Sequence, residues 1–300
     1  MTDLLYVCFT MDCERIAAES PTGGPESWEL AEHSAHAFAE CLLSYDYKPT
    51  FFVVPETARK QAKLFQELQS AGAECGVHFH DHAQGENWRR PEGVEFLGAY
   101  PAEIQRSKLA AARSEVADAL GAAPLAFRPG NFSANDSTFP VLVALGFTHG
   151  SVSLPGRCEP QLRAVWTGTE ASVHRAHAYF RLIAGELDFV DVPVTVDLTR
   201  RDHWAGVGDL RFETTSLPEL MAGVRDALSR QAAARARLHH LCFFTHNVFG
   251  YWEGASDPAT ITGRMTGLLR ALPELAGEHG LRPVAATVAE VRQAYLAPEA

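Results

Sequence analysis

The amino-acid sequence predicts an α/β fold in which one domain, residues 1–300, wraps a parallel sheet with helices. Three observations carry that prediction. Short apolar runs rich in β-branched and aromatic residues alternate with longer stretches whose apolar positions recur at helical spacing. No Gly/Ser linker, charge run or internal repeat divides the 300 residues, a length that can bury one large core. About seven or eight strand–helix units follow one another. That count, together with the absence of the Gly-x-Gly-x-x-Gly fingerprint, favours a barrel, complete or distorted, over an open doubly wound sheet.

The elements follow in order. Leu4 to Thr10 reads as the first strand, and Trp28 to Tyr45 as a helix with Leu30, Ala31, Phe38 and Leu42 on its apolar face. Thr50 to Val54 is a second strand closed by Pro55, Ala58 to Ala71 a helix stopped by Gly72, and Glu74 to Phe79 a third strand. A helix from Ala102 to Leu120 stops at Gly121, Ala126 to Arg128 is strand-like, and a short helix from Ser137 to Leu145 stops at Gly146. Phe147–Val152 and Phe189–Val196 read as strands, Leu217–Ala236 as a helix, and His239–Thr245 as a strand. Pro258–Glu278 reads as a helix, Pro283–Thr287 as a strand and Val288–Tyr295 as a helix.

Composition excludes several function classes. With 26 basic against 37 acidic residues the formal net charge is −11, which argues against binding a polyanion such as nucleic acid. The N-terminal MTDLLYVCFTMD has no basic n-region, and no apolar run reaches the length of a membrane span. Six cysteines are scattered without a Cys-x-x-Cys pair. They read as reduced thiols, so a cytoplasmic location is expected and thiolate-bound zinc is not.

In a barrel the chemistry gathers at the C-terminal ends of the strands, and four polar groups fall there. Asp12 and Glu14 follow the first strand, His78, His80 and His82 of GVHFHDH the third, Arg128 and Asn131 the fourth, and His246 and Asn247 the late strand LHHLCFFTH. Residues i and i+2 of an extended strand point the same way, so both carboxylates of TMDCE can face one mouth. Carboxylates with neutral imidazoles suit a divalent ion such as zinc. One carboxylate could bind it while the other takes a proton from a bound water. His33 and His36, His174 and His177, and His239 and His240 lack partner carboxylates and read as capping, packing or solvated residues.

TMDCE, FFVVPE, ECGVHFHDH, FRPGNFS, DVPV and FFTH resemble, in order, the motifs of the polysaccharide deacetylases, the NodB homology family of carbohydrate esterases, over roughly residues 6 to 250. The resemblance implies a distorted (β/α)7-type barrel and a metal-dependent hydrolase that removes an N-acyl group, acetyl first among them, from an amino sugar or related small amide. It assigns Asp12 as catalytic base, in a D-x-E variant of the first motif. Glu14, His78 and His82 become the metal ligands through the pattern H-x3-H, with zinc the first choice. It gives Arg128 the role of orienting Asp12, although proline follows this arginine directly where the family usually has R-x-P. It makes His246 the acid that protonates the leaving nitrogen. Asp191 and Pro193 match the fourth region loosely, and Asp202 and Trp204 are candidates for the acid-tuning aspartate and the wall of the site. His80 is left over, as a structural histidine or a hydrogen-bond donor behind the ligands, and Asp81 is expected on a loop amide or a ligating imidazole.

The long segments 83–100 and 154–186 carry Trp88, Arg89, Arg90, Trp166, His177, Tyr179 and Phe180, which would narrow the mouth toward a compact saccharide or small-molecule substrate. The same residues could instead pack a loop or a homo-oligomer contact. Two other readings stay open at this point: an amidohydrolase that opens a cyclic amide or imide, without a metal in some relatives, and a binding protein on the same barrel.

Overall fold

A computed structural model of the chain describes residues 3–20, 23–81, 96–201, 206–251, 254 and 256–298. The strands run β1 (Asp3–Cys13), β2 (Pro49–Val53), β3 (Glu74–Phe79), β4 (Ala126–Pro129), β5 (His149–Gly150), β6 (Cys158–Glu159), β7 (Ala164–Val165), β8 (His174–Arg175), β9 (Val190–Asp191), β10 (Val196–Asp197), β11 (Gly208–Asp209), β12 (His239–His246) and β13 (Leu281–Ala285). The helices are α1 (Trp28–Leu43), α2 (Pro55–Lys60), α3 (Ala62–Ser70), α4 (Ala102–Leu120), α5 (Thr138–Ala144), α6 (Leu217–Ala233), α7 (Ile261–Gly277) and α8 (Val288–Leu296).

The fold is α/β, a distorted (β/α)7-type barrel built on a curled sheet ordered β12-β1-β2-β3-β4-β5-β9-β8, with β13 also on β1. All of its ladders are parallel except β8–β9, which adds an antiparallel edge. β1 is the hub. β12 follows it along Leu5–Asp12, and on its other ladders β13 pairs with Asp3–Val7 and β2 with Phe9–Cys13. Past β9 the extended chain turns back to β12. Thr195 N–H donates to Cys242 O at 2.9 Å and Cys242 N–H to Thr195 Oγ1 at 2.8 Å.

The two-residue period of the strands sorts side chains into an outer and an inner layer. Leu5, Val7, Phe9 and Met11 of β1 join Val77, Phe127, Leu241 and Phe243 in the larger core, beneath Phe38 and Leu42 of α1 and Leu109 and Val116 of α4. The alternate positions Cys8, Phe52, Ala126 and Cys242 form a smaller inner cluster. Asp12, His78, Arg128 and His246 continue those inner columns, so the parity that buries the core also aims the polar residues at one mouth.

Local signals set the boundaries. Ser27 caps α1, its side chain accepting from Leu30 N at 3.1 Å, and Thr287 and Glu290 form a capping box at α8. Gly121 ends α4 with φ 74°, a left-handed conformation that costs glycine little. The helix expected over 58–71 starts earlier, with Pro55 in its first turn, and is broken at Gln61 (φ −121°, ψ 32°). There the Gln61 side chain donates to Trp28 O at 2.7 Å and ties the break to α1.

Candidate active site and metal centre

Strand register assembles the site. Asp12 lies opposite His246 on β12 and Phe52 on β2, and His78 lies opposite Arg128 on β4. Arg128 is fully buried. Its Nη1 donates to Asp12 Oδ1 at 2.7 Å, its Nε donates to Ser151 O at 3.2 Å, and its guanidinium stands 4.4 Å over the Phe52 ring. A buried carboxylate needs such a partner, because an unpaired charge out of water is costly. Only one Asp12 oxygen is engaged by Arg128; Oδ2 lies 4.0 Å from His78 Nε2.

Glu14 sits at the centre of a second cluster. Its Oε1 is 3.2 Å from His78 Nε2 and 2.9 Å from His80 Nε2, and the two imidazoles meet edge-on with centroids 4.8 Å apart. One donor atom from each of Glu14, His78 and His80 lies within 4.8 Å of the others. His78 Nδ1 is 3.0 Å from Arg128 O, so its N–H belongs on that nitrogen and the Nε2 lone pair faces the carboxylate. Two acceptors at that distance call for a cation between them, a proton or a metal. Consistently, burial disfavours the charged His78 but Asp12 and Glu14 outweigh it, and its pKa is raised. Burial likewise opposes the Glu14 charge, yet His80 and His78 hold its pKa well below the usual carboxylate value. Glu14 Oε2 is buried with no hydrogen-bond partner among the described residues. An orphaned carboxylate oxygen beside two imidazoles fits a divalent ion.

The structure brings Asp12, Glu14, His78 and Arg128 together, and adds His80, the histidine left over by the sequence motif. His80 follows His78 by two residues, so the extended chain turns both rings to the same side. His82, the predicted third ligand, lies outside the described residues, as do Asp202, Trp204, Trp88, Arg89 and Arg90.

His246 closes the other side. Its Nδ1 is 2.7 Å from Glu213 Oε1, its ring is 5.7 Å from that of Phe244, and its pKa is raised. Burial pulls it down, but the hydrogen bond and charge of Glu213, with Asp12, outweigh burial. Glu213 escaped the sequence reading. It sits between β11 and α6 with no motif around it, and only the fold places it against His246. Asn247, next to His246 in the chain, binds the Glu14 main chain: Glu14 N–H donates to Asn247 Oδ1 and Asn247 Nδ2 donates to Glu14 O, both at 2.9 Å. Asp191 is buried behind the site, accepting from Val152 N and Ser153 Oγ.

Asp81 differs from expectation as well. It accepts from the Tyr100 hydroxyl and from Lys108 Nζ at 3.0 Å, which anchors the chain on either side of 82–95. Trp166, expected at the mouth, is fully buried and donates from Nε1 to Phe132 O at 2.8 Å, supporting the turn after Arg128. His177 Nδ1 accepts from Tyr179 N and Phe180 N, a capping role, while those two rings are exposed.

Comparison with known proteins points to the same region. A family model described as Polysaccharide deacetylase matches residues 24–150, a span that holds His78, His80 and Arg128. The fold is similar to that of a Mycobacterium smegmatis protein assigned to the polysaccharide deacetylases, with TM-score 0.62 and 16% identity, over 100% of this chain and 94% of that one. It is also similar to Puue allantoinase, with TM-score 0.56 and 14% identity over 96% and 89% of the chains. A Pseudomonas aeruginosa PAO1 protein, likewise assigned to the polysaccharide deacetylases, gives TM-score 0.51 and 15% identity over 97% and 89%. At these identities the likeness is one of fold. No curated protein matches the sequence significantly.

Proposed function

We propose that the chain is a polysaccharide deacetylase, a hydrolase acting on carbon–nitrogen bonds, as the family model matching residues 24–150 supports, and that it removes an N-acyl group, acetyl in the first instance, from an amino sugar or related small amide. The observation that carries this reading is the buried cluster of Glu14, His78 and His80 beside the Arg128–Asp12 pair. Those three residues would hold a divalent metal, with zinc the first choice for an oxygen and two nitrogens. When bound, the metal supplies Lewis acidity, polarising the acyl carbonyl and making water a better nucleophile.

The chain's own residues do the rest. Arg128 fixes Asp12 through Oδ1, which leaves Oδ2 on the cluster side to take the proton of the attacking water. As the new carbon–oxygen bond forms, a main-chain amide of the Gly130–Phe132 turn is assigned to the oxyanion. His246, held at Nδ1 by Glu213, gives the proton of Nε2 to the leaving nitrogen as the carbon–nitrogen bond breaks. A carboxylate and an amine depart. A cytoplasmic location remains part of the proposal, supported by four thiols (Cys8, Cys13, Cys75 and Cys242) buried in the fold.

Elemental analysis of the purified protein, with Glu14→Ala and His78→Ala alongside, tests the centre, and release of acetate from N-acetylated amino sugars tests the reaction. We expect about one metal per chain in the wild type and its loss in both variants, as a three-ligand site requires. Wild-type protein that folds, takes up no added zinc and still hydrolyses an amide would sink the metal reading in favour of a metal-independent amidohydrolase.

A further inference from the structure

The last residue of the FFTHN stretch has a task that neither the motif nor the chemistry assigns. β1 ends at Cys13 and β12 at His246, yet Asn247 N–H still donates to Asp12 O at 3.2 Å. In a regular parallel ladder the next bond would run from Glu14 N–H to the main-chain carbonyl of residue 247. Here the side chain takes that bond. Asn247 Oδ1 accepts from Glu14 N–H and Asn247 Nδ2 donates to Glu14 O, so one planar amide grips both peptide groups of the residue. Asn247 is 1% exposed and Glu14 6%, so water does not compete for either bond.

We propose that Asn247 is a positioning residue for the metal centre, fixing the backbone of Glu14 so that its carboxylate meets His78 and His80. The proposal rests on the metal reading above. The physical reason is that Glu14 lies one residue beyond its strand, where the ladder no longer sets φ and ψ, and a ligand on a loose backbone binds less tightly than one held in place. Only a carboxamide offers a donor and an acceptor side by side for this grip. Because His246 precedes Asn247, the same turn holds the acid opposite the ligand.

The fold contains its own control. At the other end of β12, Gln231 makes the same grip on His240, its Nε2 donating to His240 O at 2.8 Å and its Oε1 accepting from His240 N–H at 2.9 Å. Asn247→Leu and Gln231→Leu therefore each remove two buried amide hydrogen bonds from one strand, the first at the metal centre and the second away from it. The measurement is zinc affinity by competition with a chromophoric chelator, together with the visible absorption of the cobalt-substituted protein, which reports ligand geometry.

We expect Asn247→Leu to lose about 10–100-fold in affinity and to change the cobalt spectrum, while Gln231→Leu keeps wild-type affinity and spectrum even where its melting temperature falls. Equal affinity and an unchanged spectrum in Asn247→Leu would overturn the proposal, as would an equal loss in Gln231→Leu. Should the leucine variant not fold, Asn247→Gln keeps an amide but displaces it by one methylene; wild-type affinity there overturns the idea, and a loss supports it. If the wild type itself bound neither ion, the metal reading would fall and this proposal with it. A wild type that binds beside an equally tight Asn247→Leu removes the proposal alone.

Discussion

Glu213 and His246 show how one unanticipated contact sets the charge state of the histidine proposed as the acid. Burial alone would lower the His246 pKa and leave the ring neutral, but the Glu213 carboxylate at 2.7 Å outweighs burial and raises it. A raised acid pKa extends the pH range in which the ring can donate, and activity is lost as the pH climbs through that value. Glu213→Gln keeps the shape and removes the charge, so the alkaline limb of the pH–rate profile should move to lower pH. A hydrogen bond to a charged group contributes about 1.5–3 kcal/mol, which sets the scale of that movement. Deacetylase rates followed from neutral to alkaline pH would check this, and an unmoved limb would remove His246 from the acid role.

The turn after β4 makes an element-scale demand. Asn131 and Phe132 both adopt positive φ, 53° and 55°, and the Trp166 side chain holds the Phe132 carbonyl from outside. Immediately before them, a Cβ on Gly130 would fall 2.4 Å from the His80 ring. The turn is therefore shaped so that His80 can lie against bare backbone and reach Glu14. Gly130→Ala should push the ring away and weaken zinc binding by about 10–100-fold. Gly121→Ala, at a helix end with open space around it, should instead cost about 1 kcal/mol of stability and leave zinc binding alone. Chelator competition on the two variants, beside their urea midpoints, separates these outcomes, and zinc binding unaffected by Gly130→Ala would mean that His80 is no ligand.

Across the whole molecule, the barrel is fastened at the end opposite the site. Glu74 opens β3 and accepts from Thr50 of β2 at 3.1 Å and from Ala289 N of α8 at 3.0 Å, while its other oxygen lies 2.5 Å from His149 Nε2 of β5. One largely buried carboxylate thus ties three strands to the C-terminal helix. Burial opposes its charge, but His149 and the hydrogen bonds outweigh it, and its pKa is lowered. A carboxylate whose folded pKa is depressed stabilises the fold above its unfolded value and loses that contribution as pH falls through the folded value. Glu74→Gln should be less stable by about 3–5 kcal/mol near neutrality, and the gap to wild type should narrow below about pH 4.3. Thermal melts across that range test it; a gap that stays constant into acid would show that Glu74 acts by packing alone.

Much of this was legible in the sequence because it depends on period and punctuation. The strand Glu74–Phe79 and the helix Ala102–Leu120 lie where the sequence puts them, since β-rich runs, apolar spacing and a terminal glycine are local signals. The inner column of β1 that ends in Asp12, with Glu14 two residues on, follows from alternation along one extended stretch. Chain order could not choose among His78, His80 and His82, which share one parity, nor find Glu213 or the turn of Asn247 toward Glu14. Those depend on register between strands far apart in sequence and on where the chain bends after a strand ends. The sequence by itself therefore determined the α/β alternation, the face on which the polar residues lie and the family resemblance. Only the tertiary structure decided which carboxylate meets which imidazole, because a hydrogen bond of under 3 Å is fixed by three-dimensional packing that no local pattern encodes.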